Sequence, residues 1–266
     1  MNDTKHPAAS MTAVILCGGR GTRLQSETER KPKPMAQIGG KPILWHIMSG
    51  YRAHGVRDFV LCLGYKGSVI RDYFLNLRTN SNNFRIDLAD GQVTPFSHNT
   101  PDWRVSLIET GETTSTGARL RMAAHYVEGD HFFATYGDGV SDVDIGASLD
   151  FHLEQGRAGT VTAVRPPPRF GELVVDGLVA TRVVEKPAST AGWINGGYFV
   201  FSTRAILAQP DRPDLVLETD VLPDLSAQGQ LSSFRHTGYW QCMDTEQELE
   251  DLNRIWNAGT PPWKIW

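Results

Sequence analysis

The sequence is short of cysteine, of long apolar runs and of surplus positive charge, and each shortage closes off a class of protein. Its three cysteines, Cys17, Cys62 and Cys242, are odd in number and none stands in a CxxC pair, so reduced thiols are expected rather than disulfides or a cysteine-bound metal. No segment approaches the roughly 18 uninterrupted apolar residues that a membrane-spanning helix needs, and the polar start lacks the apolar region of a signal peptide. A soluble, cytoplasmic protein is the expectation. With 26 Lys and Arg against 30 Asp and Glu, the formal charge is −4, without the basic excess of a nucleic-acid surface. Any small anionic substrate must therefore be met by a local cluster of cations. Internal repeats and low-complexity tracts are also missing.

What is present is a chain of 266 residues, 40% hydrophobic, enough to bury one large α/β core. Residues 1–11 carry no periodicity and read as a disordered extension; residues 12–266 read as a single domain. Ala13 to Cys17 is a continuous apolar run ending in Gly18-Gly19, the pattern of a strand buried on both faces. Pro42 opens an amphipathic helix through Tyr51, closed by Gly55, and Phe59 to Leu63 is the next buried strand. Ser68 is expected to cap a second helix. Two βα units in succession predict a doubly wound, mostly parallel sheet. Around Asp90-Gly91 the rhythm breaks into two short strands, an inserted ribbon. Strands follow at Trp103–Glu109, Phe132–Tyr136 and Thr160–Val164, with helices at Thr116–Val127 and Ile145–Glu154. From Arg165 the chain is strand-rich, with a hairpin through Asp176-Gly177 that reads as a lid, and it closes on a helix from Thr245 to Trp256.

The residues that carry chemistry begin with Gly18-Gly19-Arg20-Gly21-Thr22-Arg23-Leu24, at the carboxyl end of the first strand, where open parallel sheets bind ligands. Closely spaced glycines let backbone N–H groups approach phosphate oxygens, and Arg23 can add a charge-assisted contact. The same glycines would also serve a structural turn. Leu24 stands where a dinucleotide fingerprint needs its third glycine, and the P-loop Lys-Ser/Thr is absent. Next comes Lys31-Pro32-Lys33-Pro34-Met35, whose prolines hold both lysines on a stiff, extended segment; a solvated basic turn is the plainer alternative. Asp138 lies between Gly137 and Gly139 at a strand end, and Asp244 lies just before a helix. Turn formation and helix capping are their ordinary roles, but two carboxylates near cationic elements also suit a shared Mg²⁺. Lys186 precedes Pro187, and Asn195-Gly196-Gly197 is a turn signal. Trp240, Trp256, Trp263 and Trp266 are expected in a core or subunit contact, and His46 is expected to be buried on its helix.

Taken together, GGRGTRL and KPKPM resemble the N-terminal signature of the sugar-1-phosphate nucleotidyltransferases, also called sugar-nucleotide pyrophosphorylases. IGGKPILWHIM, GYKGSVIRDYF, TGARLR, TYGDGVSDVDI, FGEL, EKP, NGGYFVF, YWQCMDT and PPWKIW extend the likeness from about Met11 to Trp266. GYKG, the WHIM helix and the terminal PWKIW are similar to the cytidylyl branch in particular. The resemblance implies a Rossmann-like nucleotide-diphospho-sugar transferase fold, with a nucleotide-binding half over 12–164 and a half for the sugar phosphate over 165–266. It implies transfer from CTP to glucose 1-phosphate with Mg²⁺, and a homo-oligomer, a hexamer in the family. UTP, dTTP or another sugar phosphate is the alternative, and a non-catalytic sugar-nucleotide sensor a more distant one.

By the same resemblance, Leu16, Gly18, Gly19, Gly21, Thr22 and Gly137 would cradle the nucleotide with Arg23 on its phosphates. Lys33 would hold the α-phosphate, and Thr116, Gly117 and Arg119 would line the nucleotide pocket. Asp138 and Asp244 would ligate the metal, and Lys186, Asn195 and Gly196 would bind the sugar phosphate. Arg23, Lys33 and Asp138 are the catalytic set so implied. Cys17, Arg20 and the Pro166-Pro167-Pro168 run before Arg169 stand at variable positions near the ligands.

Overall fold

The computed structural model describes residues 6–19, 31–166, 172–176, 179–184 and 192–266. Its centre is a seven-stranded sheet in the order β14-β10-β13-β8-β1-β4-β7. These strands are β1 Thr12–Leu16, β4 Asp58–Leu63, β7 Arg104–Glu109, β8 His131–Tyr136, β10 Gly159–Val164, β13 Ile194–Ser202 and β14 Leu231–Arg235. β1 pairs parallel to β4 and β8, β4 to β7, and β10 to β14; β13 alone runs antiparallel, between β8 and β10. The carboxyl ends of six strands and the start of β13 therefore share one edge of the sheet, which is how Asn195 and Gly196 come to the same side as Gly18 and Gly137.

Each strand feeds two cores because its side chains alternate between faces. In β1, Ala13 and Ile15 enter one core while Val14 and Leu16 enter the other. The first core is closed by α1 Ile43–Ala53, α2 Gly67–Asn80, α4 Ile145–Gln155 and α7 Glu246–Asn257, through residues such as Leu44, Met48, Ile70, Leu149 and Leu252. The second is closed by α3 Thr116–Ala124, α5 Thr203–Leu207 and α6 Leu222–Ala227, through Ala118, Leu120, Ile206 and Leu225. At about 1.5–3 kcal/mol for each large apolar side chain buried, β1 is held by an amount comparable with the whole net stability of a domain. The loops at its end thus hang from a fixed support.

Among the described residues, four short antiparallel pairs decorate this body. They are β2 Gln37–Ile38 with β3 Lys41–Pro42, β5 Phe84–Ile86 with β6 Val93–Pro95, β9 Gly139–Ser141 with β15 Trp240–Cys242, and β11 Glu172–Asp176 with β12 Val179–Val184. The ribbon around Asp90-Gly91 and the later hairpin lie where the sequence predicts them; residues 177–178 of that hairpin's turn lie outside the described set.

Two local expectations change. Pro7–Ser10 forms a 3-10 turn with Ala8 fully buried, so the expected disorder of residues 1–11 does not extend over 7–11; His6 accepts from the Ala8 N–H and pairs with Asp150 of α4. The helix α2 starts one residue before Ser68 and is entered through Lys66 in the left-handed region, φ 53°, without a side-chain cap. The Gly64-Tyr65-Lys66 turn, closed by the Gly67 N–H on the Gly64 carbonyl, replaces the expected serine cap.

Of the tryptophans Trp240, Trp256, Trp263 and Trp266, Trp263 is core, Trp240 and Trp256 are half-buried, and Trp266 is exposed. Trp263, 1% exposed, stacks on Tyr239 and Trp256, and Trp256 meets the His46 ring edge-on at 4.7 Å. His46 sits between the Ile38 carbonyl, 2.9 Å from Nε2, and the Trp263 indole N–H, 3.4 Å from Nδ1. That pattern is satisfied by a neutral ring. Burial pushes His46 and His152 down to about 4, His152 with some help from neighbouring His131. Free histidines titrate near 6.5, so the folded values lie below the unfolded ones. This part of the stability is complete above pH 6.5 and is lost as pH falls toward 4. Urea unfolding at pH 7 and pH 5 should differ by about 2 kcal/mol per buried histidine, with His46→Gln flattening the slope. Equal stability at the two pH values would contradict the buried neutral assignment.

Candidate active site

At the carboxyl edge of the sheet lies a cleft of about 690 Å³ lined by Leu16 to Gly19, Lys33, Pro34, Glu112 to Thr116, Arg119, Tyr136 to Asp138, Val216 and Glu218. Of the residues singled out in the sequence, Leu16, Gly18, Gly19, Lys33, Thr116, Arg119, Gly137 and Asp138 are thereby brought to one place. Gly21, Thr22, Arg23 and Lys186 lie outside the described residues, as do Arg20 and Arg169. Gly137 stands where β1 and β8 end side by side. Its N–H donates to the Leu16 carbonyl at 3.1 Å, and a Cβ there would come within 3.0 Å of that same oxygen and 2.9 Å of Pro34. Only glycine lets the β8 turn lie this close to both segments.

Three charges meet on the floor of the cleft. The Lys33 ammonium donates to Asp138 Oδ2 at 2.7 Å and to Asp244 Oδ1 at 2.6 Å, with the lysine side chain 12% exposed and the carboxylates about a third or less. Burial by itself would lower the lysine's affinity for its proton, but the charge of Asp138 and the hydrogen bonds to both carboxylates outweigh that and hold Lys33 above its ordinary value. Lys33 is therefore a fixed cation. It sits in a 3-10 turn, Lys33–Met35, rather than the expected extended segment: Pro32 is extended, and the Met35 and Ala36 N–H groups close on the Pro32 and Lys33 carbonyls. The stiffness expected from the prolines is kept in a tighter form.

The two carboxylates come together although 105 residues separate them, because β9 pairs with β15. Gly139 is opposite Cys242, and the Met243 N–H donates to the Asp138 carbonyl at 2.9 Å. Helix capping does not use Asp244: Thr245 is the N-cap of α7, accepting from the Glu248 N–H, while Glu248 Oε2 accepts from the Asp244 and Thr245 N–H groups. This capping box takes over the bland role and leaves the Asp244 side chain facing Lys33. Two hard carboxylates already straddling a positive group fit a magnesium-type cation, which takes one or two carboxylates and fills its remaining positions with substrate oxygens and water. Cys242 and Glu248 also lie near Asp244, but Glu248 is engaged at the helix start and a thiol is a poor ligand for such an ion.

Arg119, which the resemblance puts on the nucleotide pocket, lines the cleft from a buried position. It is 4% exposed and donates to the carbonyls of Thr114, Leu63, Gly18 and Glu112 and to Thr110 Oγ1. Its guanidinium ties three loops at the sheet edge together and shapes the wall from behind. Cys17 and Cys62 are likewise buried beside β1 and β4; burial raises both thiols, Cys62 to about 12, so neither is a nucleophile.

The cleft lining also holds Glu218 and Tyr136, which the sequence did not flag. Glu218 accepts from the Thr116 hydroxyl at 2.7 Å and from the Tyr136 hydroxyl, and Asn195 Nδ2 donates to the same Tyr136 oxygen at 3.3 Å. Burial, then the Glu218 charge, raise the Tyr136 phenol, which keeps it the donor. Trp240 holds the neighbouring segment through its indole N–H on the Gly196 carbonyl at 2.7 Å. Nothing in the Leu217-Glu218-Thr219 run distinguishes it in sequence; only the packing of residues 215–218 on α3 makes it part of the site.

With this geometry in view, comparison with known proteins is direct. The chain is 44% identical over 257 residues to a glucose-1-phosphate cytidylyltransferase of Salmonella typhi, covering 96% of this chain and all of that one. It is 40% identical, with the same coverage, to a probable glucose-1-phosphate cytidylyltransferase of Bacillus subtilis. Among solved structures, HddC from Yersinia pseudotuberculosis complexed with GMP-PN superposes with a TM-score of 0.68 at 25% identity, covering 92% of this chain and 99% of that one. The profile of the nucleotidyl transferase family matches residues 12–255, so this chain belongs to that family.

Proposed function

We propose that the chain joins CTP and glucose 1-phosphate, giving CDP-glucose and pyrophosphate. One observation carries the reaction type: a lysine fixed between two carboxylates on the floor of a cleft at the carboxyl edge of a parallel sheet. End-to-end likeness to glucose-1-phosphate cytidylyltransferases supports the choice of nucleotide and sugar over UTP, dTTP or another sugar phosphate.

A phosphate oxygen of glucose 1-phosphate forms the new bond to the α-phosphorus of CTP, and the bond from that phosphorus to the bridging oxygen breaks, its electron pair leaving with pyrophosphate. The attacking oxygen is already anionic at neutral pH, so no side chain need act as a general base. The work of the protein is to align two polyanions and offset their repulsion. Lys33 faces the α-phosphate and stabilises the charge that gathers there. Gly18 and Gly19 bring backbone N–H groups near the phosphates, Gly137 keeps the turn beside them free of a side chain, and Gly21, Thr22 and Arg23 complete the loop. Thr116 and Gly117 form the wall, and Asn195 and Gly196, with Lys186, receive the sugar phosphate. Asp138 and Asp244 would hold a divalent cation, Mg²⁺ in this proposal, which when bound neutralises phosphate charge. The reading includes a cytoplasmic setting, in keeping with a nucleoside triphosphate substrate, and a homo-oligomer, supported by the exposed apolar residues Ile86, Leu88, Val93 and Phe96 of the β5–β6 ribbon.

Incubation with a panel of nucleoside triphosphates and sugar 1-phosphates in Mg²⁺, with products identified by mass, should give CDP-glucose as the dominant product. A product built on another base or sugar would replace this reading with its nearest alternative, and the absence of any sugar nucleotide would end it. Lys33→Ala should fold, since Asp138 and Asp244 can both reach water, while kcat falls by about two orders of magnitude or more. A near-normal rate in that variant would remove Lys33 from the catalytic set.

A further inference from the structure

Glu218 poses a question of charge. A cleft that admits two polyanions presents a carboxylate in its lining, and the fold goes to some length to put it there. Gly117 lies under the backbone of 215–217: a Cβ at this position would sit 3.0 Å from the Leu215 carbonyl and 3.0 Å from the Leu217 nitrogen. With that space free, the Ala118 N–H donates to the Leu215 carbonyl at 3.0 Å and the Leu217 N–H donates to Thr116 Oγ1 at 2.9 Å. Leu217–Val221 then forms a single π turn, with the Val221 N–H reaching back to the Val216 carbonyl, and such turns recur at functional sites. Asp220 fixes this turn by accepting from the Val216 N–H and from Arg212. Thr116 and Tyr136 each donate a hydroxyl to Glu218, one to each oxygen.

The outcome is a carboxylate aimed along the cleft wall, both oxygens anchored and each keeping a lone pair. Glu112, the other glutamate in the described lining, has no such anchors. An anion so placed repels phosphate and accepts hydrogen bonds from neutral donors, and a carboxylate with two equivalent oxygens matches a pair of adjacent hydroxyls. We propose that Glu218 recognises a vicinal diol of the substrate bound in this cleft. Two parts of the proposed substrates carry that chemistry, the ribose of the nucleotide and the ring of the sugar phosphate. The inference rests on the proposed reaction for these candidates, and it adds a specificity-determining residue to it. The Tyr136 hydroxyl, shared with Asn195, makes the same carboxylate a link between the nucleotide and sugar sides of the cleft.

The test compares wild type with Glu218→Ala and Glu218→Gln on matched substrates, CTP against 2′-deoxy-CTP and glucose 1-phosphate against 2-deoxyglucose 1-phosphate. In the wild type, one of the two deoxy substrates should lose about 10- to 100-fold in kcat/KM, chiefly through KM, as expected for a lost hydrogen bond to a charged group. The arm that shows the loss identifies the source of the diol. In Glu218→Ala that penalty should collapse to within about threefold, because the hydroxyl no longer has its acceptor. A role confined to holding Thr116 and Tyr136 would weaken normal and deoxy substrates alike and leave the penalty intact, which overturns the proposal; so would unchanged KM for both substrates. Direct calorimetric binding of the same four ligands reads the penalty without turnover. If the wild type makes no CDP-glucose, the proposed reaction fails, while the binding comparison still decides the role of Glu218.

Discussion

The arrangement of the site centres on one charge cluster, the Lys33 ammonium held between the carboxylates of Asp138 and Asp244. Three segments far apart in sequence, the turn after the first loop, the end of β8 and the start of α7, are fixed to one another through it. The cluster carries a net charge of minus one at neutral pH, with its single cation already desolvated and pointed. A cation of this kind loses little entropy on meeting a phosphate, which is what an in-line displacement between two anions requires. The two carboxylates present to that ammonium the same hard oxygen donors that a divalent ion uses, so the lysine stands in the seat proposed for the metal.

The scaffold around the cluster gives the neighbouring backbone its own partners. Thr245 and Glu248 start the last helix and relieve Asp244 of capping. The β9–β15 pair carries Met243 onto the Asp138 carbonyl, so the aspartate's position is set by backbone bonds and its carboxylate is left for Lys33. Arg119, in the wall of the cleft, braces Gly18, Leu63, Thr110, Glu112 and Thr114. In the proposed reading, phosphate recognition falls to Lys33 and the first loop, and the wall at Thr116 and Glu218 serves a neutral part of the ligand.

Much of the fold was legible because its signals are local. Buried strands such as β1 and β4 read as unbroken apolar runs, the helices α1 and α4 as amphipathic periods with punctuation, and the hairpins as Asp-Gly turns. Asp138 and Asp244 were suggested as a pair by carboxylates near cationic elements and by the family resemblance, but no local rule shows the contact, which two three-residue strands create. The N-terminal turn was missed because a short polar stretch with one small buried residue, Ala8, has no periodicity to detect. Glu218 was missed for a related reason: its importance comes from the absence of a side chain at Gly117 and from a π turn, neither of which leaves a distinctive pattern around the glutamate itself. Arg119 was read as a pocket residue from TGARLR, but its bracing role was not legible, because the carbonyls it meets come from the segments after β1 and β7 and from the end of β4.

The central claim is that Asp138 and Asp244 form one cation seat, occupied by Lys33 until a divalent ion takes it. Mn²⁺ binding to the nucleotide-free protein, followed by electron paramagnetic resonance, tests this most directly. Lys33→Met should bind Mn²⁺ about tenfold or more tightly than the wild type, since the ion no longer competes with a fixed ammonium, and Asp138→Asn or Asp244→Asn should each abolish the gain. Weaker or unchanged binding in Lys33→Met, or a gain that survives loss of either aspartate, would contradict the account.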